Sequence, residues 1–143
     1  MSYLVKSYMQ KDVPTVSGST NVYEAAKAIA ESDKGFLVIL TDGQPSGIVT
    51  EHDFVHKVMA KELDPKNVNI SQIMSSPLVS IDPDADLLKA SQLMHEHNIK
   101  RLPVVKDSII YGIITSEDIA THCSDYVDKS VRDIVRWTAP LGM

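Results

Sequence analysis

At 143 residues the chain is long enough for one ordinary domain or two very small ones, and a fold of that size buries roughly two thirds of its surface. A hydrophobic share of 43%, a charged share of 23% and a net charge of -5 are ordinary for a globular protein; they disfavour nonspecific attraction to nucleic acid or anionic membrane, so any anion site must be local. Cys123 is the only cysteine, which excludes an internal disulfide or a multi-thiolate zinc site, and neither a secretory pattern nor an apolar run near the roughly 20 residues of a membrane span is present, so a reducing cytoplasm is expected.

In chain order, the first predicted helix opens at Asn21, which with Glu24 forms a variant of the capping box. Val22, Ala25, Ala26, Ile29 and Ala30 then fall at the spacing of one helix face. A β-rich run, Phe36 to Thr41, follows, and the turn residues Asp42-Gly43-Gln44-Pro45-Ser46-Gly47 connect it to a second short strand, Ile48 to Thr50. Phe54, Val55, Val58 and Met59 sit on one side of another predicted helix, and Lys61 to Asn69, with Asp64-Pro65 inside, reads as a linker.

The chain then repeats itself without a gap at a shift of 65 residues, which carries Gly47 onto Gly112 and Asp53 onto Asp118. Gly47-Ile48-Val49-Thr50-Glu51-His52-Asp53 returns as Gly112-Ile113-Ile114-Thr115-Ser116-Glu117-Asp118. Asp86 caps the second copy of the helix, whose face reads Leu87, Ala90, Ser91, Met94 and His95, and Arg101 to Lys106 is the second copy of the first β run. Each copy is a β-α-β-β-α unit, and together they predict an α/β (α+β) fold. A unit of about 50 residues is marginal alone, so two pseudo-symmetric repeats packed sheet to sheet are expected. The domains are 5–63 and 70–125, with a C-terminal helical extension over 126–143 whose Val127 to Trp137 has amphipathic spacing. That extension either caps its own module or packs on a second subunit.

Thr followed three residues later by an acid, just before a helix, is itself a helix-starting signal. Two features favour a binding role. Capping boxes prefer Glu or Gln where both copies have Asp, and a glycine three residues before each Thr allows close backbone approach to a ligand. A carboxylate there can accept from the two hydroxyls of a ribose, while threonine and free backbone N–H groups suit a phosphate.

Gly-h-h-Thr-x-x-Asp (h, apolar), found twice and preceded by a β-hydrophobic run such as Ile99-Lys100-Arg101-Leu102-Pro103-Val104-Val105, resembles a pair of cystathionine β-synthase (CBS) domains from about Val5 to Asp125. The resemblance implies clefts for AMP, ADP or ATP, crossed so that each draws on both repeats. The first would use Ile48, Thr50 and Asp53 with Leu78, Val79, Lys100 and Arg101. The second would use Ile113, Thr115 and Asp118 with Val13 and the region from Lys34 to Phe36. Lys100 and Arg101 have Gly35 and Phe36 as their counterparts, so the Asp53 cleft is expected to bind nucleotide more tightly, by about tenfold to a thousandfold. The resemblance also implies homodimerisation through helices, with Phe54, Val58, Met59, Met94 and Ile119 as interface or core residues, and a signal passed to a protein partner.

S-adenosylmethionine is the alternative ligand; it fits the ribose aspartates but leaves Lys100 and Arg101 without a phosphate. His52 and His56 share a helix face, but no third metal ligand accompanies them. His95 and His97 point about 200 degrees apart on a helix, and His122 and Cys123, being adjacent, diverge. With neither a phosphate-binding nor a dinucleotide glycine loop, an enzyme is the minority expectation and a DNA-binding protein is opposed by the acidic balance.

Overall fold

In the computed structural model, which describes residues 3–122, the first repeat forms a three-stranded sheet in the order β1 (Thr15–Ser17), β2 (Phe36–Thr41) and β3 (Gln44–Thr50). β1 and β2 are parallel and joined through α1 (Val22–Ser32); β2 and β3 form an antiparallel hairpin. β2 occupies the run expected for it. β3 starts four residues earlier than expected, because the turn needs only Asp42 and Gly43, both left-handed at φ 51° and 77°. Two such residues match the twist of a hairpin, so the chain re-enters the sheet at once. Pro45 is accommodated where the register shifts and Ser46 becomes the extra residue of a bulge.

Asn21 accepts the Glu24 N–H at 2.8 Å and starts α1; Asp33, left-handed at φ 55°, ends it. Val22, Ala25 and Ile29 are buried, whereas Ala26 and Ala30 are exposed, so the buried stripe is narrower than the spacing implied. In the second repeat Asp86 accepts the Lys89 N–H at 2.8 Å and caps α3 (Leu87–His97), which buries Leu87, Ala90, Ser91 and Met94 and exposes His95. Asn21→Ala and Asp86→Ala should each lower stability by about 1 kcal/mol in chemical denaturation, since each orphans a first-turn N–H.

α3 leads to a second hairpin, β4 (Arg101–Lys106) and β5 (Ile109–Thr115), followed by α4 (Ser116–Thr121). The parallel pairing of Val16 with Ile39 in the first sheet has its counterpart in the single bridge of Ile81 to Val104. After β3 the chain takes one turn, α2 (Glu51–Asp53), and continues as a π-helix over Phe54–Met59. Widening to the i→i+5 pattern, seen in the Ala60 N–H to Val55 O bond, breaks the single apolar face expected there. Val58 is buried and Phe54 half-buried, but Val55 and Met59 are 52% and 74% exposed. Met94 and Ile119 are core residues as Val58 is.

Two compact units result. One is Val13–Val79; the other joins the described residues up to Asp12 with those from Ser80 onward. The opening segments are thus exchanged relative to the sequence repeat. Ile70 and Ile73, at the head of the second repeat, complete the core formed by Val22, Ala25, Leu37, Ile39 and Val49. Val5, at the head of the first, is fully buried and donates its N–H to Ala85 O at 2.8 Å. Cys123, Val127, Trp137 and the rest of the expected C-terminal extension lie outside the described residues.

Candidate functional site

Each unit carries one Thr-x-x-Asp motif at the point where a hairpin strand ends and a helix begins. Thr50 and Thr115 are the last residues of β3 and β5, extended at φ -125° and -117°, and both act as N-caps. The Asp53 carboxylate accepts the Thr50 N–H at 2.9 Å, and that of Asp118 accepts the Thr115 N–H at 3.0 Å. In the second copy the Thr115 hydroxyl accepts the Asp118 N–H in return, at 3.0 Å. Both motifs are capping boxes. The preference for longer acids therefore did not argue against capping: the short aspartate arm reaches the cap N–H at full hydrogen-bond length.

The motif glycines also have a different role from the one expected. A Cβ on Gly47 would lie 2.6 Å from Met74 Sδ and 2.8 Å from Ser75 O, and one on Gly112 would collide with Gln10 O and Met9 Sδ. What approaches these glycines is the chain itself. Ile48 and Ser75 exchange backbone hydrogen bonds at 3.1 and 2.9 Å, and Ile113 and Gln10 do so at 2.8 Å in each direction. In both units an opening segment lies on the outer edge of the hairpin and closes down on the one residue without a side chain.

The two carboxylates have further partners that the motif does not contain. Lys57, one helical turn after Asp53, places Nζ 3.0 Å from Asp53 Oδ1 and donates to Ile73 O at 2.9 Å. Asp53 is 7% exposed, a nearly buried carboxylate held by an amide and an ammonium. Asp118 instead accepts from the neutral Gln10 side chain at 3.1 and 3.2 Å and is half-buried. Lys57 was legible as an i+4 neighbour. Gln10, 108 residues away in sequence, was not. A carboxylate has about four lone-pair positions, so both retain capacity to accept from a ligand hydroxyl.

Of the remaining expected ligand residues, Val13, Lys34, Ile48, Leu78 and Val79 belong to the unit of Asp53, and all are half-buried. Lys100, Arg101 and Ile113 belong to the unit of Asp118. There the structure brings cations to the motif: Arg101 pairs with Thr115 across the hairpin, and Lys100 O accepts the Ser116 N–H at 3.0 Å. The corresponding positions beside Thr50 are Phe36 and Gly35.

His52 and His56 are exposed and stack at a centroid separation of 3.8 Å. His122 packs its ring 5.2 Å from Tyr8. Among the described residues no three His, Cys, Asp or Glu side chains group as a metal site, and no helix is long and apolar enough to cross a membrane.

A model of the family described as CBS domain matches residues 5–60 and 70–125. The CBS domain-containing protein YhcV of Bacillus subtilis is 34% identical over 118 residues, which cover 82% of this chain and 84% of that protein. Among solved structures, a hexameric CBS-CP12 protein from bloom-forming cyanobacteria is similar with a TM-score of 0.77 and 29% identity, over 91% of this chain and 78% of that one. The CBS domain pair of protein MJ0100, in complex with 5′-methylthioadenosine and S-adenosyl-L-methionine, gives a TM-score of 0.76 and 28% identity over 87% of this chain and 98% of that one.

Proposed function

The chain belongs to the CBS-domain family and carries two of its domains in tandem, and from that membership we propose that it is a regulatory, non-enzymatic module that binds an adenine nucleotide and reports its presence to a protein partner. The observation that carries this reading is the pair of carboxylates, Asp53 and Asp118, set at the same strand-to-helix junction in each unit with lone pairs left to accept ribose hydroxyls. Ile48, Thr50, Leu78, Val79, Val13 and Lys34 in one unit, and Lys100, Arg101, Ile113 and Thr115 in the other, are the residues proposed to complete ligand contact. Lys100 and Arg101 favour AMP, ADP or ATP over an uncharged nucleoside, because charge-assisted hydrogen bonds select phosphate. The domains are taken as 5–63 and 70–125, the working compartment as the cytoplasm and the working assembly as a homodimer; the hexameric CBS-CP12 neighbour supports self-association as such.

A second reading, S-adenosylmethionine or a related thioadenosine, is supported by the ligands of the MJ0100 pair. Occupancy transmits a signal only if the ligand favours one conformation over another.

A thermal-shift panel of AMP, ADP, ATP, S-adenosylmethionine, 5′-methylthioadenosine and NAD tests both readings. A ligand that binds only the folded state adds about 2.7 kcal/mol at a hundred times its dissociation constant, a shift of several degrees at this size. A response to the phosphorylated nucleosides selects the first reading and a response to the thioadenosines the second. No shift with any adenosine compound would overturn both.

A further inference from the structure

At the turn end of the second hairpin lies a cavity of about 410 Å³, lined by Lys6, Lys11, Lys106, Asp84 and Tyr111. Thr115 is at the opposite end of β5, and Lys106 and Arg101, at the two ends of β4, are about 17 Å apart along the strand. The cavity is therefore separate from the motif in its own unit. Its three lysines come from two stretches, the opening segment and the end of β4, and the opening segment is held in place by backbone bonds: Lys6 N–H donates to Pro83 O at 3.1 Å, and Gln10, next to Lys11, is laddered to Ile113 at 2.8 Å. Tyr111 is the extra residue of the β5 bulge, and a bulge re-aims a side chain; this ring is 42% exposed and faces the cavity.

Against three ammonium groups stands one lining carboxylate. Lys6 Nζ is 2.9 Å from Asp84 Oδ1 and Lys106 Nζ is 3.7 Å from Asp84 Oδ2, so Asp84 is clamped by two cations, while Lys11 forms no ion pair among the described residues. The hydrogen bond from Lys6 holds the Asp84 carboxyl below its ordinary range and raises the Lys6 ammonium above its own. Asp82, whose Oδ1 accepts the Asp84 N–H at 2.7 Å, also acts on Lys6, and Asp12 and Asp107 directly follow Lys11 and Lys106 in the chain, outside the lining. The lining keeps a surplus of two positive charges on a chain whose net charge is -5.

The other unit shows that the fold does not require this charge. It forms a cavity of about 330 Å³ in the corresponding place, where the shift of 65 puts Ser71 for Lys6, Thr41 for Lys106 and Ser19 for Asp84. Lys11 and Tyr111 are replaced by Ser76 and Ser46. The same scaffold thus carries hydroxyls in one unit and lysines with an aromatic ring in the other.

We propose that the Lys6, Lys11 and Lys106 cavity is a binding site for a small phosphoryl anion, separate from the two Thr-x-x-Asp sites. Asp84 acts there as a resident anion, holding Lys6 and Lys106 in position until a phosphoryl group competes for them. Tyr111 offers a flat apolar face to whatever the phosphoryl group carries.

Calorimetry with inorganic pyrophosphate on the full chain tests this. Lys11→Gln with Lys106→Gln should weaken binding by about tenfold or more, as loss of charge-assisted bonds requires. Asp84→Asn should tighten binding several-fold, an inversion of sign that a structural role for Asp84 does not produce. In a Lys100→Gln background, which removes the phosphate contact proposed for the motif site, the same differences should persist, and Lys27→Gln, an exposed lysine outside both sites, should leave pyrophosphate binding unchanged. Repeating the series with ADP in a background lacking both motif aspartates separates the sources: Tyr111→Ala weakening ADP alone identifies a nucleotide, and equal small effects identify the free anion. Absence of pyrophosphate binding, binding indifferent to the lysine pair, or weaker binding in Asp84→Asn would overturn the proposal.

Discussion

Gly47→Ala and Gly112→Ala are each expected to destabilise the protein by about 1–3 kcal/mol, the range for overpacking a close-packed interior, and the valine variants by more. The clash is with backbone as well as side chain. Met74 can swing its thioether away from a Cβ on residue 47, but Ser75 O, 2.8 Å from that Cβ, is fixed because Ser75 and Ile48 exchange two backbone hydrogen bonds. Relief therefore requires the opening segment to lift off the hairpin edge, and with it Ile70 and Ile73, which fill the core a few residues earlier. The same holds at Gly112, where Gln10 is bonded to Ile113. Gly43→Ala is the contrasting variant. It sits in the open with nothing within 4 Å and loses only the left-handed freedom of a turn residue, about 1 kcal/mol. Denaturant midpoints for the three variants measure this; a Gly47→Ala protein as stable as the parent would show that the opening segment is not held where it lies.

These glycines mark the boundary of what the sequence could disclose. The gapless shift of 65 located both helices, both hairpins and both motifs, and strands β2 and β4 occupy the runs read for them, because local periodicity and turn chemistry decide such elements. The start of β3 was misplaced for a local reason too: Asp42-Gly43 suffices as a two-residue turn, and the following Pro45 reads as loop although a bulge admits it to the strand. The π-helix was hidden because Phe54 to Met59 has ordinary helical spacing. The exchange of opening segments was hidden for a different reason. Whether Gln10 pairs with Ile48 or with Ile113 depends on contacts separated by more than a hundred residues, and the repeat makes the two choices nearly identical in local pattern. Gln10 consequently escaped notice as a partner of Asp118, while the glycines were read as room for a ligand.

Asp53→Asn separates the two roles that Thr-x-x-Asp can play, and it is expected to leave the fold nearly intact while lowering adenosine-ligand affinity by about ten- to a hundredfold. An asparagine side-chain oxygen can still accept the Thr50 N–H that Asp53 Oδ2 now takes at 2.9 Å, so the cap survives. The second oxygen becomes an amide that donates, and it can neither attract Lys57 nor accept from a ribose hydroxyl. Because Lys57 is 42% exposed at its side chain, losing that ion pair costs little in water. Asp53→Ala is harsher: it strips the cap N–H of its partner in a nearly buried position and should cost about 1–3 kcal/mol of stability as well as the affinity. Asp118→Asn repeats the comparison where the carboxylate is half-buried and bonded to Gln10 in place of a lysine. Calorimetry with the ligand chosen by the thermal-shift panel, beside denaturation of the same variants, reads affinity and stability independently. Full affinity in both asparagine variants would reduce the two motifs to helix caps; lost affinity at near-parental stability would establish that these carboxylates hold the ribose.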